Sequence, residues 1–210
     1  MSSNYPSCSR KLFSDYENSV ISLANKLPQW NPDTADYSRR YYSALSSLFE
    51  EAGELSGLIS KKRIRKHYWK ADVKSLEDID KIKHDFTSEA SDFLWVLICS
   101  NYCLGGLVNN VYDYVFASIE EVSHMSGANE EFIFEQSLYE VFSSLVLLRS
   151  ASIFDDRDIR QYMLDLVKTF SCFLYELYQE YDISLTDLIM YNMDKLGKRY
   201  DENGQRTDGK

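Results

Sequence analysis

The sequence predicts an all-α protein, and three observations carry that reading. All 3 prolines of the 210-residue chain fall at or before Pro32. Beyond that point apolar residues recur at spacings of three and four, the period of one helix face. No stretch alternates apolar and polar residues long enough to make a half-buried strand, and the 8 glycines are too few to punctuate a β-protein. Helices are expected near 12–27, 36–61, 77–103, 107–126, 130–149, 157–181 and 185–199, packed as a bundle in one domain spanning 1–210.

The breaks between them are legible. Pro28 to Asp33 reads as a turn, with Asp33 or Thr34 as N-cap of the second helix. Lys61 to Ser75 reads as a basic loop holding His67, Tyr68 and Trp69. Gly105-Gly106 interrupts the third helix, Ser126 to Asn129 ends the fourth, and Phe154 to Asp156 is a turn before the sixth. The closing stretch from Asp201 to Lys210 is polar and reads as a frayed end.

Composition narrows the class. A hydrophobic share of 44% with 14% aromatics supplies one sizeable core or two small units packed together, which excludes a disordered chain. A net charge of −10 argues against stable nucleic-acid binding, which needs a positive face to displace counterions. The opening Met1-Ser-Ser-Asn-Tyr-Pro6 lacks the apolar run of a signal peptide. The greasiest run, Phe93 to Val108, is too short for a membrane span and is broken by Ser100 and Asn101. The four cysteines, Cys8, Cys99, Cys103 and Cys172, form no Cys-x-x-Cys and have no histidine at zinc-ligand spacing. Cys99 and Cys103 read as buried thiols, and the expectation is a reduced, cytoplasmic protein.

Chemistry is concentrated in two acidic helix motifs, Glu51-x-x-Glu54 and Glu89-x-x-Asp92. Residues three apart lie on one helix face, so each motif aims two carboxylates the same way from an otherwise apolar helix. Four such groups converging between two helices cannot all stay ionised and unpaired in a dry groove. A hard divalent cation with oxygen ligands, Mg²⁺ or alternatively Mn²⁺, relieves that repulsion. The bland reading of a lone Glu-x-x-Glu is a solvated helix face; Glu50, beside the first motif, is expected on the solvent side. Asn192, Lys195 and Arg199 fall at i, i+3 and i+7 on the last helix, one basic stripe suited to phosphate contact. Of the cluster Lys61, Lys62, Arg63, Arg65 and Lys66, most read as solvated, with Lys62 the candidate for substrate. Trp30 or Trp69 could stack on a base, although core is the plainer reading of either, as it is for the aromatic stripes at 112–116 and 170–178.

Helix–loop–helix plus a shorter helix over 36–126 is echoed over 130–199. Setting Leu107 against Leu185 places Glu89 at Val167 and Asp92 at Phe170. Setting Leu58 against Leu147 places Glu51 at Glu140 and Glu54 at Ser143. The second half would then be a degenerate copy that keeps the apolar seam and has lost most carboxylates.

With these motifs in place, the chain resembles the all-α nucleoside triphosphate pyrophosphohydrolases, the superfamily of MazG, the dimeric dUTPases and dCTPases, and phosphoribosyl-ATP pyrophosphatase. Glu51-Ala-Gly-Glu54-Leu55 resembles the family's E-x-x-E motif. Glu89-Ala-Ser-Asp92 followed by Phe-Leu-Trp-Val-Leu97 is similar to its E-x-x-D motif. Tyr191-Asn-Met-Asp-Lys-Leu-Gly-Lys-Arg-Tyr200 is similar to its closing basic helix. The resemblance covers about a third of the chain, and about 80 residues more than in a simple member separate the second motif from the closing helix, longer than any ordinary loop. That spacing suits a tandem, pseudo-dimeric chain in which one copy supplies metal ligands and the other the closing helix.

The resemblance implies a MazG-like bundle that cleaves a (deoxy)nucleoside triphosphate between the α and β phosphates, releasing monophosphate and pyrophosphate. Glu51, Glu54, Glu89 and Asp92 would hold Mg²⁺, with Glu51 or Glu54 as general base; Lys62, Asn192, Lys195, Arg199 and Tyr200 would meet the nucleotide. The chain would act as a tandem monomer or a homodimer. Two other classes compete. A non-catalytic nucleotide-sensing or protein-docking module would bind without turnover. A di-iron carboxylate bundle needs two Glu-x-x-His motifs, and the chain has one, Glu121-Val-Ser-His124. Nucleophilic triads and Walker-type phosphate loops have no counterpart in the sequence.

Overall fold

A computed structural model describes residues 5–68, 76–125, 130–150, 156–201 and 203–207; at 61–68, 76–78, 124–125, 130–135 and 156–157 the backbone alone is described. The described residues form seven α-helices and no strand: α1 (Arg10–Ala24), α2 (Tyr37–Tyr68), α3 (Leu76–Cys103), α4 (Val111–Met125), α5 (Glu130–Ser150), α6 (Asp156–Tyr181) and α7 (Leu185–Arg199). None is long and apolar enough to cross a membrane.

Local chemistry sets the boundaries. Ser9 caps α1 by accepting from the Leu12 amide at 3.0 Å. Ser184 and Asp187 form a reciprocal capping box at the start of α7, the Asp187 carboxylate taking the Ser184 amide at 2.8 Å. The cap of α2 is Asp36, whose carboxylate accepts from the Arg39 amide at 2.8 Å, rather than Asp33 or Thr34. Those two lie in the preceding turns, where Asn31 takes the Asp33 amide and the Thr34 hydroxyl donates to the Pro28 carbonyl. The expected basic loop at 61–75 is corrected in its first half. The backbone of α2 stays helical through Tyr68, because a run rich in Lys, Arg and Ile without Gly or Pro has nothing to stop a helix. Residues 69–75, Trp69 among them, lie outside the described residues, as do 126–129 and 151–155, where two further turns were expected.

α3 ends where expected, at Gly105 and Gly106, both at positive φ (97° and 68°), which glycine adopts without a Cβ penalty. The Asn101 side chain then pins the exit, accepting from the Val108 amide at 2.8 Å and donating to the Val108 carbonyl at 3.1 Å. This holds Leu107 to Asn110 as an irregular link, so α4 starts at Val111 and not at 107.

The helices pair in a crossed order. α2 lies against α3 and α5 against α6, each pair antiparallel: Arg40 reaches the Cys103 carbonyl while Glu51 meets Glu89, and Thr169 reaches Ser144 while Cys172 feels Glu140. The pairs meet where α2 packs on α5, where the Tyr41 hydroxyl donates to the Leu148 carbonyl, and where Phe93 lies on Phe170 with centroids 4.6 Å apart. α4, which follows α3, packs on α6; α7, which follows α6, packs on α3. α1 lies across α3 and α7, buried through Phe13, Tyr16, Val20 and Ala24. Cys99 and Cys103 are buried free thiols, and Trp30, 2% exposed and edge-on to Trp95, is core and not a stacking platform.

Phe93 is fully buried at the seam between the two helix pairs. Phe93→Ala is therefore expected to cost about 3–5 kcal/mol. Urea denaturation should show this as one cooperative transition at lower midpoint; two separated transitions would mean that the pairs fold as independent units.

Candidate functional site

The α2–α3 pair carries the acidic motifs at one level. On α2, Ala52 and Leu55 are fully buried, which turns Glu51 partly into the seam and leaves Glu54 and Glu50 at the surface. On α3, Ala90, Ser91 and Phe93 are fully buried, and Glu89 and Asp92 flank them half-buried. The outcome is a cluster in which one carboxylate oxygen each of Glu51, Glu54 and Glu89 lies within 4.8 Å of the others.

Crowding is visible in the protonation equilibria. The Glu51 carboxyl is pushed up to about 8, first by burial and then by the charges of Asp92, Glu54, Glu89 and Glu50. Glu89 is pushed up to about 7 by burial, by a hydrogen bond shared with Glu54 and by the charges of Glu54 and Asp92; the Lys195 ammonium offsets part of this. The cluster thus relieves its repulsion by holding protons. Clustered oxygen donors of this kind fit a hard divalent cation, which would displace those protons.

Asp92 stands beside the triad with a different set of partners. Its Oδ2 is ion-paired with Lys195, both side chains being 16% exposed, and its Oδ1 accepts from the Asn192 amide at 3.2 Å. Lys195 also donates to Ser88 Oγ at 3.2 Å and lies 6.0 Å from the Tyr191 ring centroid. Asn192 is completely buried, donating to the Ser91 carbonyl at 3.2 Å and accepting from the Tyr16 hydroxyl at 2.9 Å. The closing helix therefore reaches the same place as the carboxylates, through Asn192 and Lys195.

Other expected site residues are dispersed. Arg199 is exposed one turn beyond Lys195, its carbonyl taking the Thr207 amide at 2.8 Å. Tyr200 lines an open groove of about 470 Å³ between α1 and α7, with Tyr16, Lys26, Met193, Leu196 and Asp201. Lys62 lies on the α2 backbone, and its side chain is outside the described residues. Glu121, half of the single Glu-x-x-His motif, is ion-paired with Lys168 at 2.9 Å, and the His124 side chain is outside the described residues. On the second pair, Glu140 is exposed, the Ser143 hydroxyl bonds its own helix at the Tyr139 carbonyl, and Val167 and Phe170 are buried without a carboxylate. Two residues escaped the sequence reading. Ser88 sits one place before Glu89, a signal that was available; Tyr16 carries none, since its spacing from Phe13 and Val20 reads only as core.

Raised carboxyl equilibria carry a sign for stability. Folded Glu51 and Glu89 hold protons that the unfolded chain, at 4.5, has released. Their contribution is fully present below 4.5 and is lost as pH rises through about 7 and then about 8. The melting temperature without divalent cation is expected to fall across that window, and Glu51→Gln, neutral throughout, to flatten the fall; differential scanning calorimetry over a pH series checks both. Compared with protein-family models, with curated proteins and with solved structures, the chain matches none.

Proposed function

We propose that the chain is a Mg²⁺-dependent nucleotide pyrophosphohydrolase that cleaves a (deoxy)nucleoside triphosphate to monophosphate and pyrophosphate. The observation that carries this reading is the convergence of Glu51, Glu54 and Glu89 from two antiparallel helices, with Asp92, Asn192 and Lys195 joined beside them. The order of motifs along the chain, which resembles the all-α pyrophosphohydrolases, selects the anhydride bond. Mg²⁺ or Mn²⁺, when bound, would neutralise phosphate charge and acidify a water.

The chain's own groups supply the rest. Glu51, deepest of the triad, is placed to accept the proton as a water oxygen forms its bond to the α-phosphorus, while the α–β anhydride P–O bond breaks toward pyrophosphate. Lys195 and Asn192 fix Asp92, and Arg199, solvated on the same helix, is free to approach the outer phosphates. The crossed packing of α4 on α6 and α7 on α3 supports a tandem reading, in which the second pair is a degenerate scaffold that delivers the closing helix. The site would then be complete within one chain.

A second reading, a nucleotide-sensing or docking module without turnover, is favoured by one observation: the Lys195 ammonium is engaged with Asp92 and not turned outward. A pyrophosphate-release assay over a panel of NTPs and dNTPs separates the two. Turnover is expected with Mg²⁺ or Mn²⁺ and none with EDTA, and Glu51→Gln should lower kcat by about 10²–10⁴-fold with the fold intact. Nucleotide binding without pyrophosphate release under either metal would replace the enzyme by the sensor.

A further inference from the structure

We infer that Tyr16, on α1, is a positioning residue that sets the orientation of Asp92 through the buried Asn192 amide; the inference rests on the reading of Asp92 as part of a cation site. Asn192 is fully buried and its two ends are not interchangeable. The Ser91 carbonyl can only accept, so the amide nitrogen must face it at 3.2 Å, and the same nitrogen then reaches Asp92 Oδ1 at 3.2 Å. The amide oxygen is left pointing toward α1, where the Tyr16 hydroxyl donates to it at 2.9 Å. Burial pushes the Tyr16 phenol well above its ordinary range, so it is a donor at any working pH.

Without that hydroxyl the Asn192 oxygen is buried without its donor. The amide is then fixed from the α3 side only, and its hydrogen bond to Asp92 loses the contact that orients it. Asp92 is then held firmly by Lys195 alone, through a flexible stem in place of two fixed contacts. α1 belongs to neither helix pair, and this contact gives it a function beyond covering the core. Tyr16 is thereby the third link of a chain running from a helix outside the pairs to a carboxylate beside the triad, the arrangement by which outer residues tune cation ligands.

Binding of Mn²⁺ alone, followed by the electron paramagnetic resonance of free Mn²⁺ at fixed pH, tests the inference. Wild type should bind; Tyr16→Phe should weaken binding by about tenfold or more, and Val20→Ala, an α1 core change without a polar link, should leave it unchanged. Asn192→Leu should weaken binding at least as much, and Tyr16→Phe combined with Asn192→Leu should be no worse than Asn192→Leu alone. The double variant removes both members of the buried Tyr16–Asn192 hydrogen bond, so should Tyr16→Phe alone fold poorly, the comparison of the double variant with Asn192→Leu still reads the contribution of Tyr16. Wild-type affinity in Tyr16→Phe, or additive losses in the double variant, would overturn the role of Tyr16 while leaving the cation site standing. Absence of Mn²⁺ binding by wild type would overturn the cation-site reading and this inference with it.

Discussion

Repulsion among carboxylates set into an apolar helix seam is the constraint on which the rest of this molecule turns. Glu51, Glu54 and Glu89 are brought together by residues with no charge of their own: Ala52, Leu55, Ala90 and Phe93, all fully buried, fix the faces of α2 and α3, so that Glu51 and Glu89 come half-buried at the edge of the seam with Glu54 exposed beside them. An arrangement of this kind costs stability when ionised, and the chain answers in two ways. Protons are retained on Glu51 and Glu89, and a cation from another helix, Lys195, is drawn onto Asp92. Buried charge pairs are weak contributors to stability in themselves, and perturbed carboxyls gathered in this way mark a candidate site.

The crossed packing order explains how a helix at the far end of the chain comes to serve that site. α7 leaves α6 and lies on α3, while α4 leaves α3 and lies on α6, so each helix pair is completed by the element that follows the other pair. Charge is distributed in opposite senses at the two junctions. On α3 the acid Asp92 meets the base Lys195 of α7; on α6 the base Lys168 meets the acid Glu121 of α4. Only the first junction adjoins clustered carboxylates among the described residues. The aromatic contact of Phe93 with Phe170 and the Tyr41–Leu148 hydrogen bond lock the pairs together, which ties the integrity of the site to the second pair although that pair lends it no carboxylate.

Much of this was legible in the sequence because helix periodicity and breaker residues are local signals. Gly105-Gly106 announced the end of α3, and the Glu-x-x-Glu and Glu-x-x-Asp spacings announced shared faces. What escaped had two sources, local signals that compete with one another and contacts distant in sequence. Lys61 to Tyr68 looked like a loop because it is charged, yet Lys and Arg are good helix formers and charge does not end a helix. Asp36 outcompeted Asp33 and Thr34 as a cap because Asn31 had already folded those residues into turns. The basic stripe of α7 read as a set of phosphate contacts, with nothing in the spacing to tie it to the acids; Asn192 and Lys195 in fact reach the Asp92 carboxylate directly. Tyr16 stayed hidden because a tyrosine in a buried stripe is indistinguishable by spacing from one whose hydroxyl has a partner 176 residues away.

Calorimetric titration of Mg²⁺ into the protein near neutral pH, repeated in buffers of different ionisation enthalpy, counts the protons that leave when the cation enters. A crowded carboxylate cluster that is relieved by a divalent cation predicts saturable binding with net proton release, reduced in Glu51→Gln. Binding with no proton release, or no binding at all, would contradict the account.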